Sequence, residues 1–329
     1  GLSNVLVIYI GGTRYINGQI ASLGVIAEFI MYVNMLTWPV AVVGWVTSIV
    51  QQAEASQKRI NEFLEVQPSI RNTVKQSSEI KGTIEFKNVS FTYADTNITA
   101  LKKISFSLKS GRTLAILGKT GSGKSTVINL ITRLYNVESG EILIDGKPIE
   151  KLNLDDLRAA IGFVPQEAFL FSDTIKNNIK FGKANASTEE IIAAAKNAHI
   201  HHNIDEFNDK YETFVGERGV TLSGGQKQRI SIARAIIGNP RILIFDDCLS
   251  AVDTETEEII LNNLDRVSKD KTTIIVSHRV SSAKNADLIL VLDEGTIIQE
   301  GTHETLSNQK GYYQELYNQQ LTEQSTDVE

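Results

Sequence analysis

The sequence predicts an α/β domain on a mainly parallel sheet, with a membrane-spanning helical segment fused ahead of it. Three observations carry this prediction. Residues 20–50 form one apolar run with Glu28 as its single charge, longer than the ~20 residues a helix needs to cross a bilayer. From about residue 81, short β-rich runs alternate with helical stretches, the pattern of a parallel sheet with crossover helices. One such strand, TLAIL at 113–117, ends in a glycine-rich turn at 118–125 that opens a helix.

Composition bounds the alternatives. A chain of 329 residues corresponds to about two units of ~150 residues. It is 42% hydrophobic and 22% charged, close to globular averages, which excludes bulk disorder and collagen-like sequence. Lys and Arg number 33 against 39 Asp and Glu, a net charge of -6. A binder of phosphate backbones carries a basic surplus, so the balance argues against nucleic acid. The single cysteine, Cys248, has no partner for an internal disulfide and fits a reducing compartment.

Taken in order, residues 1–65 read as a partial transmembrane domain. Gly1 follows no basic segment, so the start reads as a chain beginning partway through a longer protein rather than as a signal peptide. Residues 5–10 (VLVIYI) read as the end of one membrane helix and 11–19 (GGTRYINGQ) as a turn. Residues 20–50 form the full span, in which Pro39 predicts a kink or a packing contact. Lys58 and Arg59 follow the span, which by the positive-inside rule places the later residues in the cytoplasm and the 11–19 turn outside. Glu28 is an expensive charge for a membrane helix and a candidate for the outer headgroup level or a substrate pathway. Trp38 and Trp45 share a helix face and read as packing or lipid contacts. Residues 51–65 continue the helix into water, and 66–80 form a polar linker.

The main domain is predicted over 81–319, with a polar tail over 320–329. Strands are expected at 83–91, 104–108, 113–117, 141–144, 161–164, 242–246, 273–277, 287–292 and 296–299. Helices are expected at 124–134, 188–198, 225–237 and 255–267. The region near 83–108 reads as an antiparallel patch and that near 170–238 as a helical insert.

The turn 118–125 (GKTGSGKS) fits the pattern G-x-x-x-x-G-K-[ST] between a strand and a helix. Gly118, Gly121 and Gly123, with Lys119, Thr120 and Ser122 between them, let backbone N–H groups curl around a polyphosphate. The helix dipole favours the same anion. Lys124 would reach the β- and γ-phosphates, with Thr126 next to the loop, and Ser125 would hold Mg²⁺. A buried strand at 242–246 ends in Asp246 at the sheet edge where ligands of open α/β sheets bind, opposite Ser125 as a second Mg²⁺ partner. The segment Leu222-Ser223-Gly224-Gly225-Gln226 precedes another helix, with Ser223 placed to cap it, and makes a second anion-binding helix end. One chain with two such ends suggests two domains head to tail, each closing on the other's nucleotide.

LSGGQ between a glycine-rich phosphate loop and a strand-Asp resembles the ATP-binding cassette (ABC) family, in particular the last membrane helix and nucleotide-binding domain of an exporter-type half-transporter. The resemblance covers about 81–318. It implies a P-loop NTPase fold with a RecA-like core, an antiparallel β subdomain and a helical subdomain. It also implies ATP and Mg²⁺ as ligands and a multi-pass protein of the cell membrane with its ATP-binding domain in the cytoplasm. The implied partners are a second half-transporter, the lipid bilayer and a transported small molecule, lipid or peptide, exported at the expense of ATP. Residue by residue, Tyr93 resembles the aromatic that stacks on adenine, and Gln166 the glutamine that senses Mg²⁺ and the membrane domain. Asp253, in Ser250-Ala251-Val252-Asp253, resembles the loop that crosses the dimer, and 215–219 (VGERG) an exporter-specific segment. His278, ending the strand TTIIVSH, resembles the switch histidine at the γ-phosphate; an imidazole there can orient the attacking water. The tract His199, His201 and His202 lacks ligand partners at metal spacing and reads as a solvated helix end.

One position departs from the family pattern. Asp247 stands where active members carry Glu, the group that polarises the attacking water. Asp is one methylene shorter, and proton transfer by a positioned base is worth ~10²–10⁴ in rate. The departure resembles the weakened site of a heterodimeric exporter. A fully active homodimer and a nucleotide-gated binding module with little hydrolysis are the competing expectations.

Overall fold

Two kinds of helix-and-sheet pattern in the sequence become two units, 1–69 and 70–329, in a computed structural model that describes residues 1–216, 219, 222–248 and 254–326. The first unit holds α1 (Leu2–Ile16) and α2 (Gly24–Glu65). The helix α1 runs six residues into the expected 11–19 turn, which instead begins at Asn17 and Gly18 (φ 72°). The reason is packing. A Cβ on Gly11 would stand 3.0 Å from Ile26 Cγ1, so the glycine acts as a close helix contact rather than as a breaker. Asn4 Nδ2 donates to Asn34 Oδ1 at 2.9 Å, tying the two helices by a side-chain amide pair. The Tyr32 hydroxyl donates to Glu28 Oε1 at 2.6 Å, one turn along α2. Helix α2 is long and apolar enough to cross a membrane, and Pro39 falls inside it without ending it.

The second unit begins with β1 (Ile84–Tyr93) and β2 (Ile98–Leu108), followed by β3 (Thr113–Gly118) and α3 (Lys124–Ile131). Next come β4 (Ser139–Ile144), β5 (Lys147–Pro148), α4 (Leu154–Ala159) and β6 (Ile161–Val164). A helical stretch follows, α5 (Ile175–Lys180), α6 (Thr188–Asn197), α7 (His201–Asp205) and α8 (Gly224–Ile236). The chain closes with β7 (Ile242–Asp246), α9 (Thr254–Val267), β8 (Thr272–Val276), β9 (Leu288–Asp293), β10 (Thr296–Gly301), α10 (His303–Ser307) and α11 (Tyr312–Thr326).

These strands form two sheets among the described residues. One, in the order β2-β1-β4-β5, is antiparallel. The other runs β10-β9-β3-β8-β7-β6, parallel except for its last hairpin β9–β10. The parallel strands read as continuous apolar runs because both their faces are covered; every residue of β7 is buried. Pairing brings Gly118 opposite Leu292 and Asp246 opposite Val276. The phosphate-type loop, the strand-end carboxylate and residues 277–278 therefore leave the sheet at one edge.

Among the described residues, three apolar clusters hold these layers. The first joins the two sheets through Ile84, Phe86, Leu114, Ile116, Ile128 and Ile244, with Phe86 and Phe106 stacked at 4.5 Å. The second packs α5, α6 and α8 onto Phe245 and Val164. The third lies beneath α11, where Tyr313 is fully buried with Val280, Ala283 and Ile289. Each fully buried aliphatic or aromatic side chain contributes about 1.5–3 kcal/mol. Residues 320–326, expected as part of a polar tail, continue α11, because Tyr313, Leu316 and Tyr317 give the helix an anchored face.

Candidate functional site

The loop after β3 needs its glycines. Gly118, Gly121 and Gly123 have φ of 145°, 80° and 103°, a region other residues adopt only under strain. A Cβ on Gly123 would stand 2.6 Å from the Ala100 carbonyl oxygen, and one on Gly118 would collide with the Leu292 carbonyl. No atom lies within 4 Å of a Cβ position on Gly121, so the loop is open on that side.

Lys124 begins α3 and folds back into this loop. Its Nζ donates to the carbonyls of Gly118 and Lys119, both at 2.8 Å. Burial pulls the pKa of the ammonium down, while Asp247 and Asp246 hold it up. Ser125, exposed one residue on, hydrogen-bonds the Asp246 carboxyl, whose pKa burial raises. Asp247 turns the chain with φ 44° and donates its N–H to the Val276 carbonyl at 2.8 Å. Its carboxylate accepts from Gln166 Nε2 at 3.5 Å and from the backbone N–H of His278. Burial raises this pKa too, against the pull of His278 and Lys124.

These groups line one cleft of about 530 Å³, within the range of small-ligand sites. Its lining includes Thr120, Gly121, Gly123, Lys124, Ser125 and Thr126 from the loop and the start of α3, together with Gln166, Asp246, Asp247, His278 and Tyr93. The Tyr93 hydroxyl shares a hydrogen bond with Thr126 Oγ1 at 3.1 Å. Phe91 and Tyr135 pack edge-on to its ring at 4.9 and 5.3 Å, which fixes the plane it offers. Gly118, Lys119 and Ser122 are not in the lining: the first two turn their carbonyls to Lys124, and Ser122 Oγ is buried without a hydrogen-bond partner among the described residues.

A lysine-bearing glycine loop, two adjacent carboxylates, a glutamine and a histidine at the edge of a parallel sheet suit a nucleotide polyphosphate. The comparisons with known proteins agree. Residues 101–250 match the ABC transporter family. Residues 101–250 form an ABC transporter domain.

Two relatives and one solved structure place it more closely. The chain is 42% identical over 327 residues to the multidrug resistance-like ATP-binding protein MdlA of Escherichia coli, 99% of this chain and 55% of that one. It is 44% identical over 278 residues to the ATP-dependent lipid A-core flippase of Haemophilus influenzae, 84% of this chain and 47% of that one. A bacterial Atm1-family ABC exporter with ATP bound superposes with a TM-score of 0.80 at 37% identity, covering 91% of this chain and 53% of that one. The chain thus spans about half the length of the curated relatives it matches, and its fold is that of an ABC exporter with its nucleotide-binding domain.

The ABC domain keeps its second helix end apart from this cleft. Ser223, Gly224, Gly225 and Gln226 are absent from the lining. Ser223 Oγ accepts from Gln226 N–H at 3.2 Å, and Gln226 Oε1 accepts from Ser223 N–H at 2.9 Å. This reciprocal cap pre-forms the end of α8, with Ser223 and Gly224 exposed. Asp253 with the rest of 250–253, and Glu217 and Arg218 of the 215–219 segment, lie outside the described residues. His201 of the histidine tract is bonded to the Tyr211 hydroxyl at 2.8 Å and faces Asp205 at 3.5 Å.

Sequence reading passes over several residues of the ABC domain's cleft. Thr99, Lys102, Glu294 and Gly295 also line it. The Gly295 N–H donates to the Ser122 carbonyl at 3.2 Å, and the Lys102 N–H to the Gly295 carbonyl at 2.8 Å. The Asp293-Glu294-Gly295 run signals a turn; that the turn braces the 118–125 loop is a tertiary fact. Gln228, which reaches the Gln166 backbone, and Gln320, which reaches the His278 backbone, carry no sequence signal of their own.

Proposed function

We propose that this chain is the ATP-binding and ATP-hydrolysing part, with the last membrane helix, of one half of an ABC exporter. The observation that carries the reading is the convergence of Lys124, Ser125, Asp246, Gln166 and His278 on a single cleft. ATP lies with its adenine on Tyr93 and its phosphates along 118–125, where Lys124 exchanges its loop carbonyls for phosphate oxygens. The hydroxyl, carboxylate and amide oxygens of Ser125, Asp246 and Gln166 are hard donors that suit Mg²⁺, and these residues would hold it. Bound there, the ion neutralises charge developing on the phosphates.

The open side of the cleft is closed by the 222–226 segment of a second half-transporter, since the chain's own segment does not line its own cleft. The exposed rings of Phe169, Phe171 and Phe181, just past Gln166, offer an apolar face to cytoplasmic loops of the membrane part. By this reading, the domains follow the sequence: 1–65 in and near the membrane, 66–80 a linker, 81–319 the cytoplasmic ATPase, with substrates of the drug, lipid or peptide kind.

The finer reading is a heterodimer in which this is the slow site. Asp247 spends its short carboxylate on Gln166 and on the His278 N–H, which holds it back from an attacking water. The test is ATP binding and turnover by the full-length protein in lipid with Mg²⁺. Binding without appreciable turnover, and a gain of about tenfold or more in Asp247→Glu, is the expected result. Absence of ATP binding would sink the function; no gain in Asp247→Glu would sink the slow-site reading and favour the active homodimer.

A further inference from the structure

Gln320 lies on α11 on the same face as Tyr313, Leu316 and Tyr317, since residues three and four apart are neighbours on a helix. Those three side chains pack with Val280 and Ala283. Gln320 instead makes polar contacts with the backbone of the same segment. Its Nε2 donates to the His278 carbonyl at 3.0 Å, and its Oε1 accepts from the Val280 N–H at 2.8 Å. One side-chain amide thus pairs with backbone groups on both sides of Arg279, as a neighbouring strand would.

Further bonds of this segment come from the sheet, from Asp247 and from the segment itself. Val276 accepts from the Asp247 N–H at 2.8 Å, and the Ser277 N–H donates to the Ile116 carbonyl at 3.2 Å. The Arg279 N–H donates to Ser277 Oγ at 3.0 Å. The His278 N–H is held by the Asp247 carboxylate. Of these partners, Gln320 alone comes from the C-terminal helix. The two bonds on His278 bracket its Cα, with the peptide plane before it held by Asp247 and the plane after it by Gln320. Because each peptide is rigid, fixing both planes fixes φ and ψ, and with them the direction of the Cα–Cβ bond.

We infer that Gln320 is a positioning residue for the nucleotide cleft: by setting the backbone of His278 it sets the direction from which the imidazole enters. The inference rests on the nucleotide-site reading above. It makes α11 a brace of the reaction centre, 42 residues away in sequence. Misplacing a group by about 1 Å can cost up to ~10² in rate.

The test uses full-length protein in lipid with Mg²⁺ and labelled ATP, and compares wild type with Gln320→Met and Leu316→Ala. Met keeps the length and apolar stem of Gln320 but has no amide; Leu316→Ala weakens packing on the same helix face and keeps the amide. Single-turnover hydrolysis makes even a slow site readable. In Gln320→Met the rate falls about tenfold or more at ATP affinity within about twofold of wild type, and the Val280 amide exchanges its hydrogen faster. Leu316→Ala lowers Tm and, at a temperature where all three are folded, keeps the wild-type rate. A wild-type rate in Gln320→Met overturns the inference, as does an equal loss in both variants that follows Tm. ATP binding by the wild type with no single turnover also overturns it, because no reaction remains to be positioned. Failure of the wild type to bind ATP is a different result: it removes the nucleotide-site reading itself, and the inference with it.

Discussion

Gln228, buried near the start of α8, donates its side-chain amide to the backbone carbonyl of Gln166. The helix capped by Ser223 is thereby tied to the residue that reaches Asp247 inside the chain's own cleft. A displacement of α8 by a docking partner would reach Gln166 through this bond. Gln228 Oε1 is buried without a partner among the described residues, so the amide carries an uncompensated cost beside its gain.

Gln228→Met removes both the bond and the unpaired oxygen. The two effects oppose each other, and stability by chemical denaturation changes by less than about 1 kcal/mol. The single-turnover rate with Mg²⁺ and ATP falls on the proposed reading of Gln166, because that residue loses its anchor. A large loss of stability with unchanged turnover would show the bond to be structural only.

Gly123→Ala tests the loop. The new Cβ meets the Ala100 carbonyl at 2.6 Å at a φ of 103°, and strain of this kind costs about 1–3 kcal/mol. Because β2 cannot retreat without breaking its pairing to β1, the loop shifts instead. Calorimetric titration with ATP is expected to show no binding, while circular dichroism keeps its α/β signature.

Asp246→Asn tests the electrostatics. Burial outweighs Ser125, Lys124 and His278 and holds the Asp246 pKa above its ordinary 3.8. Between those values the folded chain carries more protons than the unfolded one, so stability falls as pH rises. The contribution is fully present below 3.8 and lost as pH passes the folded pKa. The neutral Asn therefore raises Tm of the nucleotide-free protein at pH 7 and changes it little near pH 4. With Mg²⁺ and ATP the order at pH 7 inverts if, as proposed, Asp246 helps hold the ion, because the variant then forgoes a metal ligand. Thermal scans at both pH values, with and without nucleotide, check the four outcomes.

Arg234→Ala tests how the helical layer is held. The guanidinium donates to the Asn178 carbonyl at 2.9 Å, to Asn178 Oδ1 at 2.8 Å and to the Phe169 carbonyl at 2.8 Å. It lies 5.5 Å from the Phe171 ring centre, and burial pulls its pKa down to about 10. Removing it takes a donor from three acceptors, of which Asn178 Oδ1 keeps the Phe171 N–H, a loss of about 3 kcal/mol. Lys restores only part, since an ammonium lacks the planar fork. Urea unfolding of the three proteins gives the comparison.

Strong local periodicity made most of the parallel sheet legible, because strands buried on both faces are apolar throughout, as 242–246 shows. The glycine-dependent loop at 118–125 and the Ser223 cap were equally legible, since each needs particular residue types a few positions apart. The short helix α5 and the two-residue strand β5 were not, being held by contacts rather than by pattern. The turn at 11–19 was misplaced because Gly11 looks the same whether it ends a helix or lets Ile26 approach one. The helical continuation over 320–326 was hidden for a related reason: its sequence is polar, and the side chains that anchor the helix, Tyr313 and Gln320, meet residues distant in the chain.

The amino-acid sequence by itself determined the elements, the loop that curls at 118–125 and the residue types offered to a nucleotide, because these depend on backbone freedom and hydrophobic period over short range. The tertiary structure alone decided which of them share a cleft. Strand register put Asp246 beside Val276 and Gly118 beside Leu292, and side-chain amides from Gln228 and Gln320 then reached backbone groups 62 and 42 residues away. Such bonds join residues that only the folded sheet brings together, so no spacing along the chain announces them.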